Sequence, residues 1–179
     1  SVAPALSNGG GGALAGEQLL QRRIDPPYLI DGRAWDLGVY VGFQRHDDGS
    51  LTTTIHDDVL LRFCTSPFIS TDDAHRALAA ANSSGARLQV EERLRRSWVI
   101  SDDYESAWQM PSLAPRLRAH RGASAPSRAA LEEVLTPERW GATYARIQAA
   151  VAATARAPAL ASARRGDARF ELVRYDFVL

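Results

Sequence analysis

The stretch WDLGVYVGFQRHDDGSLTTTIHDDVLLRFC (35–64) decides how this chain folds. From Trp35 onward Leu37, Val39, Val41 and Phe43 alternate with Gly38, Tyr40 and Gly42. A period of two marks a strand buried on one face. His46-Asp47-Asp48-Gly49 follows, with glycine where a short hairpin needs positive φ. Leu51, Thr53 and Ile55 then alternate with Thr52, Thr54 and His56. Asp57-Asp58 reads as a second turn, and Val59, Leu61 and Phe63 as the inward side of a third strand. Residues 35–64 therefore predict an antiparallel β-meander.

Working outward, STDDAHRALAAANSSG (70–85) predicts a helix near 71–82. Ser70 or Thr71 would cap it, Asp72 and Asp73 suit the positive end of its dipole, and Gly85 lies past its end. Leu88 and Val90, then Trp98 and Ile100, alternate well enough to predict a strand near 86–100. DDYESAW (102–108) suggests a helical turn, and PSLAPRLRAHRGASAPS (111–127) a loop. Two helices are expected near 127–157: one capped by Ser127, the other by Thr136 with Pro137 at its first position. In the second, Trp140, Tyr144, Ile147 and Val151 share a core-facing stripe. RFELVRYDFVL (169–179) predicts a last strand near 168–179, with Val173, Tyr175, Phe177 and Leu179 on one side. The class is α+β. Residues 1–16 form a flexible Gly-rich arm by composition and 17–179 a single domain.

The formal net charge is zero, which argues against a bulk electrostatic partner such as duplex DNA or an anionic membrane. All 21 basic residues are arginine, and asparagine occurs only at Asn8 and Asn82. Lysine and asparagine share AT-rich codons, so the bias points to a GC-rich genome. The lone Cys64 permits no internal disulfide and no cysteine-based zinc site, and reads as a small buried residue. No run is long enough to span a bilayer, and the start of the chain lacks an intact signal-peptide pattern.

The two His-Asp-Asp triplets, 46–48 and 56–58, invite a metal reading. A strand between them would hold them about 20 Å apart, too far for one ion. Aspartates in turns have local reasons to be there. Asp72, Asp73 and His75 form another such cluster, explained by capping and by an exposed helix face.

One resemblance is carried by GFQRHDDGSLTTT (42–54). Gly42, Phe43, Arg45, His46, Asp47, Asp48, Gly49 and Thr53 are similar to a segment of the ADP-ribosylating enterotoxin A chains. It implies an NAD-dependent transferase in which Thr52, Thr53 and Thr54 shape the NAD pocket and Glu105 is catalytic. The family's upstream arginine has no clear counterpart at Arg22 or Arg23, and Asp103 stands where its first glutamate would.

The arm, the strand at the end of the sequence and the lack of an evident site predict a non-enzymatic structural subunit of a larger assembly, of viral or phage type for instance. Its contacts would run through the arm and through Tyr175, Phe177 and Leu179, with protein subunits, self or other, as partners and no cofactor or metal. The alternatives are the NAD-dependent transferase using Thr53 and Glu105, and an RNA-binding module using the arginines at 93–96, 116–122 and 164–165.

Overall fold

The computed structural model describes Ile24, residues 26–156 and residues 169–178. The Gly-rich arm, Leu179 and the arginines at 164–165 lie outside the described residues. Among the described residues, five strands and five α-helices make an α+β fold around one antiparallel sheet: β1 (Trp35–Arg45), β2 (Leu51–Ile55), β3 (Leu60–Phe63), α1 (Thr71–Ala80), α2 (Ser84–Trp98), β4 (Glu105–Ser106), α3 (Ala114–Ala119), α4 (Pro126–Leu135), α5 (Pro137–Ala155) and β5 (Arg169–Val178).

β1 is the central strand. Residues 36–38 pair with both β3 and β5, and residues 41–45 with both β2 and β5. β5 therefore lines one edge of β1 along its length, while β2 and β3 share the other edge end to end. Asp57-Asp58 interrupts a strand rather than reversing it, so 35–64 is a long hairpin with a broken second arm. The physical reason is tertiary. His56 N donates to Tyr40 O at 2.9 Å, keeping the chain on β1's edge. Asp58 then turns aside, and its Oδ1 accepts the backbone N–H of Arg128 at 2.9 Å in the first turn of α4. The turn at 46–49 is a true reversal: Gly49 has φ +87 and Ser50 N donates to Asp48 Oδ1 at 2.8 Å. An Asp-Gly turn also precedes β1, with Asp31 at φ 50 and Gly32 at φ 72 between bridged Ile30 and Arg33.

The odd-numbered side chains of β1 face the helices. Trp35, Leu37, Val39, Val41 and Phe43 form one cluster with Leu61, Phe63, Met110, Leu113 and Leu117, closed by Leu131 and Leu135 of α4 and by Trp140, Ile147 and Val151 of α5. Each such side chain contributes roughly 1.5–3 kcal/mol by leaving water. Cys64 is buried, and burial pushes its thiol up to about 11, so it stays protonated.

The strand expected near 86–100 is the helix α2. Val90, Leu94 and Trp98 recur at helical spacing, and Arg87–Glu91, Glu92–Arg95 and Glu92–Arg96 are ion pairs three or four residues apart. These outweigh the short alternation of Leu88 and Val90, and Leu88 is exposed. Consequently α1 ends at Ala80, and Gly85 belongs to the first turn of α2. α2 packs on α1, and its last turn holds the segment after β3. Ser97 Oγ accepts Ile69 N at 2.7 Å and Trp98 Nε1 donates to Ile69 O at 2.6 Å. Ser70 caps α1 as one of the two expected candidates. Thr136 precedes α5 at φ 71 without a side-chain cap bond. Among the described residues no helix is long and apolar enough to cross a membrane.

Candidate functional site

The even-numbered side chains of β1 point away from the helices, and among the described residues no helix covers that side of the sheet. Tyr40, Phe170, Leu172 and Val178, all exposed, lie on it with Thr52 and Thr54. One end of this face carries charge instead. Asp36, second residue of β1, is only 5% exposed. Its partner is Arg62 on β3, directly across the ladder, whose Nε donates to Asp36 Oδ1 at 2.9 Å and Nη2 to Oδ2 at 2.5 Å. This two-pronged pairing is what the planar guanidinium does best.

β5 extends the network. Asp176 lies across β1 beside Gly38, and its Oδ2 receives Arg62 Nη2 at 2.8 Å. Arg174 binds the same carboxylate, Nε to Oδ1 at 2.9 Å. Two arginines and two aspartates from three strands thus form one neutral chain of charge-assisted bonds. The Tyr104 ring lies beside Arg62, 5.8 Å from ring centre to guanidinium carbon. Arg33 and Glu105 pair nearby at 3.4 Å, and Arg33 Nη1 donates to Cys64 O at 2.8 Å.

The electrostatics follow from burial. Removal from water pushes the Asp36 carboxyl above the usual aspartate value, and the hydrogen bond and charge of Arg62 draw it only part of the way back. The bond to Asp36 in turn raises Arg62, which is charged at any physiological pH. The arrangement can hold an anion with guanidiniums already fixed in place, or orient a ligand between acid and base groups.

The residues singled out from the sequence are scattered. Thr53 pairs with Phe43 at one end of β1 and Glu105 with Phe63, opposite Trp35, at the other. Eight steps along β1 separate them by on the order of 25 Å, and Glu105 is engaged with Arg33. The transferase site therefore does not assemble. Tyr175 and Phe177 lie on the helix-facing side of β5, stacked at 6.3 Å and packed against the core; Leu179 is outside the described residues. The metal clusters also come apart: His46 shares a hydrogen bond with Thr52, His56 Nδ1 accepts Asp58 N, and Asp73 is held by Ser70 and Arg76. No group of three or more metal-ligating side chains exists among the described residues. Of the arginine clusters, 95–96 is paired to Glu92, and Arg116 with His120 to Glu133. Arg118 and Arg121 line a hollow of about 430 Å³ beside exposed Trp108.

Asp36 and Arg62 are absent from the sequence-derived candidates. A usable signal was present. Each is a charge flanked by apolar residues within its strand, at the same phase of the alternation, where only a partner makes burial tolerable.

A family model described as Tubulin-tyrosine ligase family matches residues 14–79. The match runs through β1, β2 and β3 and most of α1. No curated protein and no solved structure matches the chain. A ligase is an enzyme, so this match overturns the expectation of a non-enzymatic structural subunit, and nothing found supports a virion or particle setting.

Proposed function

We propose that this chain is part of an ATP-dependent ligase that joins a carboxylate to an amine, with its site on the open face of the sheet around Asp36 and Arg62. The observation that carries the reading is the ligase-family match over residues 14–79, because β1 and β3, which hold that pair, both lie within it. The matched family is of ATP-grasp type. The match covers little more than a third of the chain.

The chemistry asks for what this face provides. A carboxylate is a poor acylating agent until one of its oxygens attacks a terminal phosphorus and becomes an acyl phosphate, releasing ADP. The amine then adds to the acyl carbon, the C–O bond breaks, and orthophosphate departs. Charge builds on phosphate oxygens throughout, and fixed guanidiniums meet it with no reorganisation. Arg62 is such a donor, oriented from behind by buried Asp36. Gly38, which has no side chain, lets Arg174 and Asp176 of β5 lie close over β1 beside Arg62.

The test is orthophosphate release from ATP in the presence of an amino acid and a polypeptide acceptor. Release should require all three. Arg62→Gln should lower it about a hundredfold, the usual effect of removing one preorganised donor. Release indifferent to Arg62, or no nucleotide binding by calorimetry, overturns the proposal.

A further inference from the structure

Asp176 is clasped from two directions. Its Oδ1 accepts Arg174 Nε at 2.9 Å, and its Oδ2 accepts Arg62 Nη2 at 2.8 Å and Arg174 Nη2 at 3.2 Å. The two guanidiniums come from strands on opposite edges of β1 and close on one small anion above Gly38. A Cβ at residue 38 would stand 3.3 Å from Arg174 Cδ, Asp176 Oδ1 and Leu60 Cβ, so the clasp depends on a residue without a side chain. The network is also asymmetric. Asp36 is shut away behind Arg62, whereas the side chains of Arg174 and Asp176 are 36% and 37% exposed. An exposed carboxylate exchanges its partners for water with little loss, and a buried one does not.

The geometry points to Asp176 as an internal stand-in for a ligand. Arg62 and Arg174 form a two-guanidinium subsite for a phosphoryl anion, the phosphate tail of a nucleotide, and the aspartate occupies that subsite in the free chain. Guanidinium edges fit phosphate as they fit carboxylate, so one can replace the other without moving the donors. When the anion enters, the Asp176 side chain rotates to solvent while Asp36 keeps Arg62 aimed. The identity of the anion rests on the ligase reading; the clasp does not. Arg174 lies outside the matched residues 14–79, so β5 adds a group that the family match does not supply.

Calorimetric titration of the whole chain with inorganic tripolyphosphate, and separately with glutamate as a phosphate-free carboxylate, tests this. Asp176→Asn removes the competing charge and should tighten tripolyphosphate about tenfold. Arg174→Gln should weaken it by about tenfold or more, the scale of one charge-assisted bond. Gly38→Ala keeps all four charges but crowds Arg174, and should weaken binding as well; circular dichroism confirms that each variant is folded. Unchanged or weaker tripolyphosphate binding in Asp176→Asn overturns the inference. So does glutamate binding that depends on residues 174 and 176 while tripolyphosphate binding does not. If affinities shift as expected but no amine-dependent phosphate release is found, the ligase reading fails and the clasp stands. If release is intact and affinity ignores residue 176, the clasp fails alone.

Discussion

On the odd-numbered side of β1, Trp35, Leu37, Val39, Val41 and Phe43 are all 2% exposed or less. On the even-numbered side, two steps are glycine, Tyr40 and Gln44 are exposed, and the only buried side chain is a carboxylate. The same backbone carries both. The helix side is governed by volume: apolar side chains fill the space beneath α3, α4 and α5, and stability is made there. The open side is governed by charge and by the absence of bulk, neither of which helps a sheet fold. A sequence that places Gly38 and Gly42 in its central strand gives up strand propensity there. In return, β5 side chains come down close, with Phe170 lying 3.2 Å from where a Gly42 Cβ would be.

That contrast can be broken, most sharply on the helix side. Phe63→Ala, at 0% exposure, should cost about 3–5 kcal/mol in urea unfolding. Arg62→Leu crosses to the open side and leaves Asp36 buried without its partner; a loss of about 3 kcal/mol is expected by the same measurement. If it is instead near neutral, the pair is not buried in solution as described. Asp58→Ala removes a cap that the break between β2 and β3 contributes to α4 and should cost about 1 kcal/mol, seen as faster hydrogen exchange in the first turn of that helix. Leu172→Ser, on the exposed part of the open side, should fall within about 0.5 kcal/mol of the parent.

Acid titration sharpens the contrast through its sign. The hydrogen bonds of Arg95 and Arg96 hold Glu92 down at about 2. What Glu92 contributes is present above the usual glutamate value and is lost as pH falls toward about 2. Asp36 behaves oppositely, because burial raises it. Its favourable share is complete below the usual aspartate value and is lost as pH rises through the elevated one. Glu92→Gln should flatten the acid limb of the stability curve, and an unchanged limb would show that the α2 pairs do not form.

The sheet was legible where local order and tertiary order agree. Alternation from Trp35 to Phe43 is imposed by the covered face, and the stripe from Trp140 to Val151 by a helix lying on it. The break at 57–58 is ambiguous in the sequence, since a pair of aspartates looks the same whether it closes a turn or, as with Asp58, reaches across to cap α4. The segment at 86–100 carries two conflicting patterns: Leu88 with Val90 and Trp98 with Ile100 alternate as in a strand, but three ion pairs at helical spacing decide for a helix. Asp36 and Arg62 form no cluster along the chain, because residues 36, 62, 174 and 176 come together only through strand pairing. The Thr53 and Glu105 reading fails for the converse reason: the segment similar to a known one, 42–54, lies at one end of β1, and Glu105 lies at the other.

The broken arm of the hairpin has a consequence for length. Val41 faces Ile55 and Gly38 faces Leu60, three steps on one strand against five on the other. The surplus is even, so the inside-outside phase survives the joint, and Arg62 emerges on the same side as Thr52 and Thr54. Insertions or deletions of one residue between 56 and 59 would invert everything after them, turning Phe63 to water and the guanidinium into the oil of the core. Changes by two would leave the phase intact, so natural length variation at this joint should come in pairs.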